Sequence, residues 1–286
     1  MIPKSYIQIE DITDIPSLPE IFIRVNEVVN NPRSSLEDVG KVISEDTGLT
    51  ARLLKIVNSA FYGFPSHIET ISRAVTIVGT QQLRDLALAT SVIRLFSGIP
   101  HDLLDMESFW RHSVACGITA RILATFRRES NVERFFVAGI LHDIGRLILC
   151  LQKSEEMRDI LKQVRQGANT VRVVEFDVLG FDHTTVGGAL IQAWKLPASL
   201  EEVVLCHHAP LQASRYPVEA AVIHVADIFS HAMQLGHSGE CWVPPLEGKA
   251  WDRLGLPVSI LSSTIDQIDR QYYDTVQLIL PESHHG

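Results

Sequence analysis

The spacing of apolar side chains constrains the fold of this chain more than any other feature. From Pro19 to about Phe96, apolar residues recur at intervals of three and four, the period of a helix with one buried face. Residues 171–181 are rich in β-branched side chains, but a lone strand would have no partner, so we predict a helix or loop there. The pattern therefore predicts an all-α, multi-helix fold.

Capping signals and turn residues set the predicted limits of the helices. Asp46 stands where an N-cap would precede Leu49. Three further pairs fit capping boxes, namely Ser34 with Glu37, Ser130 with Glu133, and Ser199 with Glu202. Beyond residue 105 we predict helices at about 107–127, 131–151, 154–166, 183–194, 199–208 and 217–235, then a connection rich in Gly and Pro at 238–257 and a last helix at about 259–280.

Turn residues at 97–102 mark the best internal boundary. They divide the 286-residue chain into an N-terminal helical lobe, residues 1–104, and a second lobe, residues 105–286. No repeat of fixed period and no low-complexity run appears in either part.

Charge and cysteine usage disfavour several classes of function. The formal net charge of −9 gives no support to nonspecific binding of nucleic acid, and a DNA-binding regulator, supported only by Arg127-Arg128 and scattered basic residues, ranks last. The four cysteines are widely separated and form no CxxC pair, which favours reduced thiols and a cytoplasmic location. No signal-peptide pattern and no apolar run of roughly 18 residues is present, so we expect no contact with a membrane.

The pair His142-Asp143 interrupts an apolar, helix-like run from Val137 to Arg146. An imidazole and a carboxylate at successive positions diverge by roughly 100° around a helix, yet both can reach one ion beside that turn. Further candidate ligands lie in other predicted helices: His112, His183, His207, His208 and Asp227. Imidazoles with carboxylates are typical ligands of iron, manganese, nickel or zinc, and seven candidates are too many for one tetrahedral ion. The set therefore predicts two divalent transition-metal ions in the core of a helical bundle.

Each candidate also has a simpler interpretation. A buried histidine is more often a hydrogen-bonded core residue than a metal ligand, and Asp227 could pair with Arg215 or cap a turn. His207-His208 could face solvent at a helix end. We interpret the remaining histidines as structural or surface residues: His67, His101, His224, His231, His237, His284 and His285.

The order of these ligand candidates resembles the HD superfamily of metal-dependent phosphohydrolases, and the longer series is similar to the cyclic-dinucleotide phosphodiesterase branch called HD-GYP. The N-terminal half is similar to the HDOD family, an HD-related signalling domain, at Leu18-Pro19-Glu20, Ile43 to Gly63 and Ala74 to Gly79. The resemblance covers about residues 15–215 and implies an HD-like helical bundle with an N-terminal helical lobe.

The resemblance implies a role for each site residue. Asp143 would bridge two ions, with His142, His112 and Asp227 on one and His183, His207 and His208 on the other. Arg146 stands where the family usually has Lys and would neutralise a phosphate oxygen. The Gly-Tyr-Pro substrate loop of HD-GYP proteins has only a faint counterpart in Arg215-Tyr216-Pro217.

Two functions stay open at this point. One is a phosphohydrolase or phosphodiesterase acting on a nucleotide or cyclic dinucleotide, with Asp143 and Arg146 as its catalytic residues. The other is a non-catalytic signalling module, as HDOD proteins are often described, which uses the HD fold as a scaffold for a protein partner. The retained series of metal-type residues favours metal binding in either case.

Overall fold

The computed structural model describes residues 16–96, 99–167 and 169–280. Within these ranges the regular elements are helices and no strand occurs, so the predicted all-α class is confirmed. The first five helices are α1 (Glu20–Asn30), α2 (Leu36–Ser44), α3 (Thr47–Val57), α4 (Ile71–Val78) and α5 (Thr80–Val92). The others are α6 (Met106–Phe126), α7 (Glu133–Leu141), α8 (Ile144–Gln152), α9 (Ser154–Arg165), α10 (Val171–Leu179), α11 (His183–Ala193), α12 (Ala198–Cys206), α13 (Pro217–Ala232), α14 (Gly248–Leu254) and α15 (Ile260–Ile279).

The helix α6 lies at the centre of the bundle. It packs against α7, α13 and α15, and its side chains are buried along almost its whole length. A helix that is apolar on all sides is stable in water only when other helices surround it. One cluster of buried apolar side chains runs from Leu18 to Ile279 and includes residues of both predicted lobes. Helices α5 and α3 of the first lobe contact α7 and α15 of the second. The division at residue 104 stays a prediction, and residues 97 and 98 of the predicted boundary lie outside the described residues.

Some predicted helix starts are wrong, and each has a physical reason. The box before α2 is formed by Ser35 and Asp38, one residue later than predicted, with Ser35 N donating to Asp38 Oδ2 at 2.8 Å. Asp46 caps α3 as predicted, accepting from Leu49 N at 2.7 Å. The predicted boxes at Ser130 and Ser199 are absent, since Val132 and Pro197 occupy those N-caps. The carboxylate of Glu202 instead accepts backbone N–H groups of Ser214, Arg215 and Tyr216.

The predicted helix at 131–151 is two helices, α7 and α8, and the break falls at His142-Asp143. Asp143 has φ −98° and ψ 9°, outside helical geometry, so the helix is interrupted at this residue. The segment 171–181 forms helix α10, which agrees with the prediction of helix or loop. Helix α14 lies within the connection predicted at 238–257 and was missed.

The stretch Glu133–Gln152 is long and apolar enough to cross a membrane by length and composition, so the prediction that no such apolar run is present is wrong. Of its most apolar window, 89% is buried inside the protein, which is typical of a core helix. Gly145 at the start of α8 explains the close packing against α11, because a Cβ at this position would collide with the carbonyl oxygen of His183 and the amide nitrogen of Gly187. This approach brings Asp143 beside His183.

Candidate metal centre

The seven predicted ligands come from five parts of the fold and meet in its interior. His112 lies on α6, His142 and Asp143 form the break between α7 and α8, and His183 begins α11. His207 and His208 follow α12, and Asp227 lies on α13. All of these side chains are buried except that of His208, which is partly buried.

The carboxylate of Asp143 is the hub of one group of ligand atoms. Its Oδ1 atom lies 3.2 Å from His183 Nε2 and 3.6 Å from His207 Nε2, and the Nε2 atoms of His183 and His208 are 3.1 Å apart. Its Oδ2 atom lies 3.4 Å from His142 Nε2. The ligand atoms of Asp143, His183, His207 and His208 all lie within 4.8 Å of one another.

The carboxylate of Asp227 lies at the centre of a second group of ligand atoms. Its Oδ1 atom lies 3.1 Å from His112 Nε2 and 3.6 Å from His142 Nε2. It also lies 3.3 Å from the Nε2 atom of His231, a residue that the sequence interpretation treated as structural or surface. His142 faces both carboxylates and so connects the two ends.

Several atoms at this centre are buried without a hydrogen-bond partner. They are His112 Nδ1 and Nε2, His142 Nε2, Asp143 Oδ1, His207 Nε2 and Asp227 Oδ1. A buried polar atom left unpaired costs about 1–3 kcal/mol, so a concentration of such atoms calls for a further partner. Ligands at about 2.1 Å from a tetrahedral zinc ion are about 3.4 Å apart, and the separations from Asp143 and Asp227 to the imidazoles are similar. The residues therefore fit a divalent transition-metal ion.

The imidazole rings are oriented by hydrogen bonds at their Nδ1 atoms. His142 Nδ1 is 2.7 Å from Gly139 O, and His207 Nδ1 is 2.8 Å from Val204 O. Donation of Nδ1–H to these carbonyls leaves Nε2 as the free lone pair, which is the arrangement that metal-binding histidines use. His183 Nδ1 lies 2.5 Å from Glu175 Oε2, so a carboxylate takes the same position there.

Burial and neighbouring charge set the ionisation of the ligand residues. Burial lowers the pKa of His112 and of His207 to about 4, so both are neutral at pH 7 and their lone pairs are available. Burial also lowers the pKa of His208 well below its usual value. Burial disfavours the charged form of His183 as well, but the carboxylates of Glu175 and Asp143 together outweigh it and raise the pKa of His183 to about 9.

Arg146 is fully buried and is held by protein groups. Its Nη1 atom donates to the carbonyl and hydroxyl oxygens of Ser238 at 2.6 and 2.8 Å and lies 3.3 Å from Asp143 Oδ2. Its Nε atom lies 3.8 Å from Glu175 Oε1. Burial would raise the pKa of Asp143, but the guanidinium and the imidazoles of His142 and His183 together outweigh it and hold that pKa well below the usual value. The predicted phosphate contact of Arg146 stays a prediction.

Sequence reasoning missed two residues that touch the predicted ligands. His231 stands four residues after Asp227 on the same helix, a spacing that places both side chains on one face. Glu175 carries a weaker signal, since it is one of two carboxylates in the largely apolar helix α10. His224 is structural as predicted, because its Nδ1 donates to His207 O at 2.8 Å and its Nε2 accepts from Glu247 N at 2.9 Å. His67, His101 and His237 are exposed, and His284 and His285 lie outside the described residues.

Comparison with known proteins identifies the family and the fold of this chain. The sequence model of the HDOD domain matches residues 15–210. This chain belongs to the HDOD domain family. The HDOD match agrees with the resemblance found at residues 15–215, and an HD-like architecture is confirmed by the solved structures to which this HDOD protein is similar.

Two solved structures cover almost the whole of this HDOD protein. An HDOD domain protein of unknown function from Geobacter sulfurreducens is 25% identical, with a TM-score of 0.78 over 95% of this chain and 96% of that one. A protein described as phosphohydrolase-like, from Shewanella amazonensis SB2B, is 25% identical, with a TM-score of 0.77 over 95% and 97% of the two chains. An uncharacterized protein of Treponema pallidum (strain Nichols) is 26% identical over 198 residues, which are 69% of this chain and 38% of that protein. This HDOD protein thus matches well under half of that relative's length.

Proposed function

We propose that this HDOD protein binds two divalent transition-metal ions in its His–Asp centre and hydrolyses a phosphoester of a nucleotide or cyclic dinucleotide. In this proposal Asp143 would contribute to both ions, His112, His142 and Asp227 would hold one, and His183, His207 and His208 would hold the other. The observation that carries the proposal is the convergence of buried, unpartnered nitrogen and oxygen atoms on two carboxylates. Iron, manganese, nickel and zinc all suit this donor set.

The chemistry of the centre suits phosphoester hydrolysis. A pair of such ions, when bound, lowers the pKa of a water molecule and stabilises the entering and leaving oxygens of a phosphoryl group. The protein contributes the imidazoles of His112 and His207, which are neutral at pH 7, and an ionised Asp143, whose charge Arg146 favours. The phosphohydrolase-like protein from Shewanella amazonensis SB2B supports this reaction class.

One observation favours a second function, a metal-binding signalling module without turnover. His112, His142, His183 and His207 are fully buried, and the guanidinium of Arg146 is surrounded by protein groups. A substrate phosphate would reach this centre past the partly buried His208 or His231, or after a rearrangement. In this second proposal the metal stabilises a scaffold whose surface binds a signalling protein.

Three of the four free cysteines are buried, which supports a cytoplasmic location for either function.

One experiment separates the two functions. The full chain is loaded with iron(II), manganese, nickel or zinc, its metal content is measured, and it is assayed on cyclic dinucleotides, nucleotides and model phosphoesters. Asp143→Asn is the test variant, and Asp177→Asn is the matched control because Asp177 is an exposed carboxylate on α10. We expect two bound ions and hydrolysis in the control, and loss of both in Asp143→Asn. Bound metal without hydrolysis of any substrate would support the second function, and no bound metal would contradict both.

A further inference from the structure

The imidazole of His231 lies against the Asp227 end of the centre, outside the ligand series that the family resemblance supplies. We propose that His231 is a further metal ligand, which forms a three-residue site with His112 and Asp227. The proposal deepens the proposed function and rests on it, because it adds a ligand to the same centre. The ligand class is a divalent transition-metal ion that accepts imidazole nitrogen, such as zinc or nickel.

The distances at this end place three potential ligand atoms together. Asp227 Oδ1 lies 3.1 Å from His112 Nε2 and 3.3 Å from His231 Nε2. The three ligand atoms all lie within 4.8 Å of one another, and the rings of His112 and His231 are 4.4 Å apart between centroids. Separations near 3.4 Å are those of ligands around a tetrahedral ion with bonds of about 2.1 Å.

The hydrogen bonding supports a ligand role over a simple histidine–aspartate pair. Neither ring nitrogen of His112 has a hydrogen-bond partner, and the Oδ1 atom of Asp227 has none, although both groups are buried. A pair that served stability alone would leave fewer such atoms unpaired, because each one costs free energy. An ion between the three side chains would satisfy His112 Nε2 and Asp227 Oδ1 together.

The position of His231 also suits the entry of an ion. Its side chain is 7% exposed, whereas those of His112 and Asp227 are 0% and 3% exposed. It lies in the last turn of α13, four residues beyond Asp227, so the same helix presents both groups to His112 on α6. His231 is therefore the outermost of the three ligands.

The test is metal affinity of the full chain after removal of metal with a chelator. Zinc binding is measured by calorimetry, metal content by elemental analysis, and the cobalt(II) absorption spectrum reports the number of nitrogen ligands. His231→Gln removes the imidazole, and His101→Gln is the matched control because His101 is exposed. We expect His231→Gln to weaken zinc binding at one site at least tenfold and to change the cobalt spectrum, with the control unchanged.

The outcomes distinguish this proposal from the proposed function. Equal zinc affinity and an unchanged cobalt spectrum in folded His231→Gln would overturn the role of His231 and leave the two-ion centre standing. Failure of the wild-type chain to bind any metal would overturn the centre itself. If His231→Gln does not fold, His231→Asp supplies an oxygen ligand in its place. Retention of zinc within tenfold, with a cobalt spectrum indicating one nitrogen ligand fewer, would then support the proposal, and an unchanged spectrum would overturn it.

Discussion

Glu175 Oε2 lies 2.5 Å from Nδ1 of His183, and neither residue has an exposed side chain. Glu175 also accepts the backbone N–H of His183 at 2.9 Å, so it fixes both the start of α11 and the orientation of the imidazole. The other nitrogen of the same ring, Nε2, lies 3.2 Å from Asp143 Oδ1. A carboxylate behind a histidine raises its basicity as a ligand, so Glu175 is a positioning residue for the Asp143 end.

We expect Glu175→Gln to weaken metal binding at the Asp143 end about 10- to 100-fold. The same change should lower the pKa of His183 from about 9 in the metal-free protein, because the carboxylate that opposes the effect of burial is removed. Zinc calorimetry measures the first effect and a histidine NMR titration the second. Glu155→Gln is the control, since Glu155 is exposed on α9. Unchanged values for both measurements would contradict the positioning role.

The stability of the metal-free protein should have a maximum near pH 6.5. Between about pH 4 and 6.5 the unfolded chain binds protons at His112 and His207 that the folded chain does not, so the free energy of unfolding rises with pH there. Between 6.5 and about 9 the folded chain keeps a proton on His183 that the unfolded chain loses, so stability falls with pH. The limiting slope is about 1.4 kcal/mol per pH unit for each group. Urea unfolding at pH 5, 6.5 and 8.5 checks this order, and a monotonic change would contradict it.

Gly236, in the segment after α13, lies in close contact with the backbone of α6 beside His112. This residue has φ +77°, and a Cβ there would collide with the carbonyl oxygen of Ser108 and with the amide nitrogen of His112 at 2.5 Å. We expect Gly236→Ala to lower the free energy of unfolding by more than Gly180→Ala does, with a cost of at least about 2 kcal/mol. Gly180 is the matched control because it has φ +79° and open space around its Cβ position, so it measures backbone strain alone. Equal losses in urea unfolding would show that the segment does not press on α6.

The positive charge of Arg146 compensates the negative charges of two buried carboxylates, those of Asp143 and Glu175. We expect Arg146→Met to destabilise the metal-free protein by about 3–5 kcal/mol, because it leaves buried negative charge without a partner. Saturating zinc should reduce this loss, since the ion would supply positive charge at Asp143. Chemical unfolding with and without zinc measures both effects. An equal loss in the two conditions would separate Arg146 from the metal centre.

The sequence predicted the helices well because apolar periodicity records which face of each segment is buried. It predicted the seven candidate ligands because their order along the chain resembles a known series, and the structure brings those seven side chains together. It could not predict the break at His142-Asp143, since neither residue of the pair is Gly or Pro and the flanking residues are as apolar as those of a continuous helix.

Residues that act through a partner outside their own helix were beyond sequence reasoning. Glu175 is recognisable only once α10 lies beside His183, and a single carboxylate in a helix is most often a solvated residue. The pair Ser199 and Glu202 fits a capping box by spacing, yet Glu202 binds backbone amides at 214–216 instead. His231 had a local signal in its spacing from Asp227, but only the approach of α6 shows that His112 shares that carboxylate.

The most direct test is anomalous scattering from a crystal of the full chain grown with zinc or nickel and recorded at the metal absorption edge. Two strong peaks within about 2.0–2.3 Å of ligand atoms are predicted, one among Asp143, His183, His207 and His208 and the other between His112 and Asp227. Absence of an anomalous peak at either carboxylate, in a crystal whose solution contains saturating metal, would contradict the metal centre.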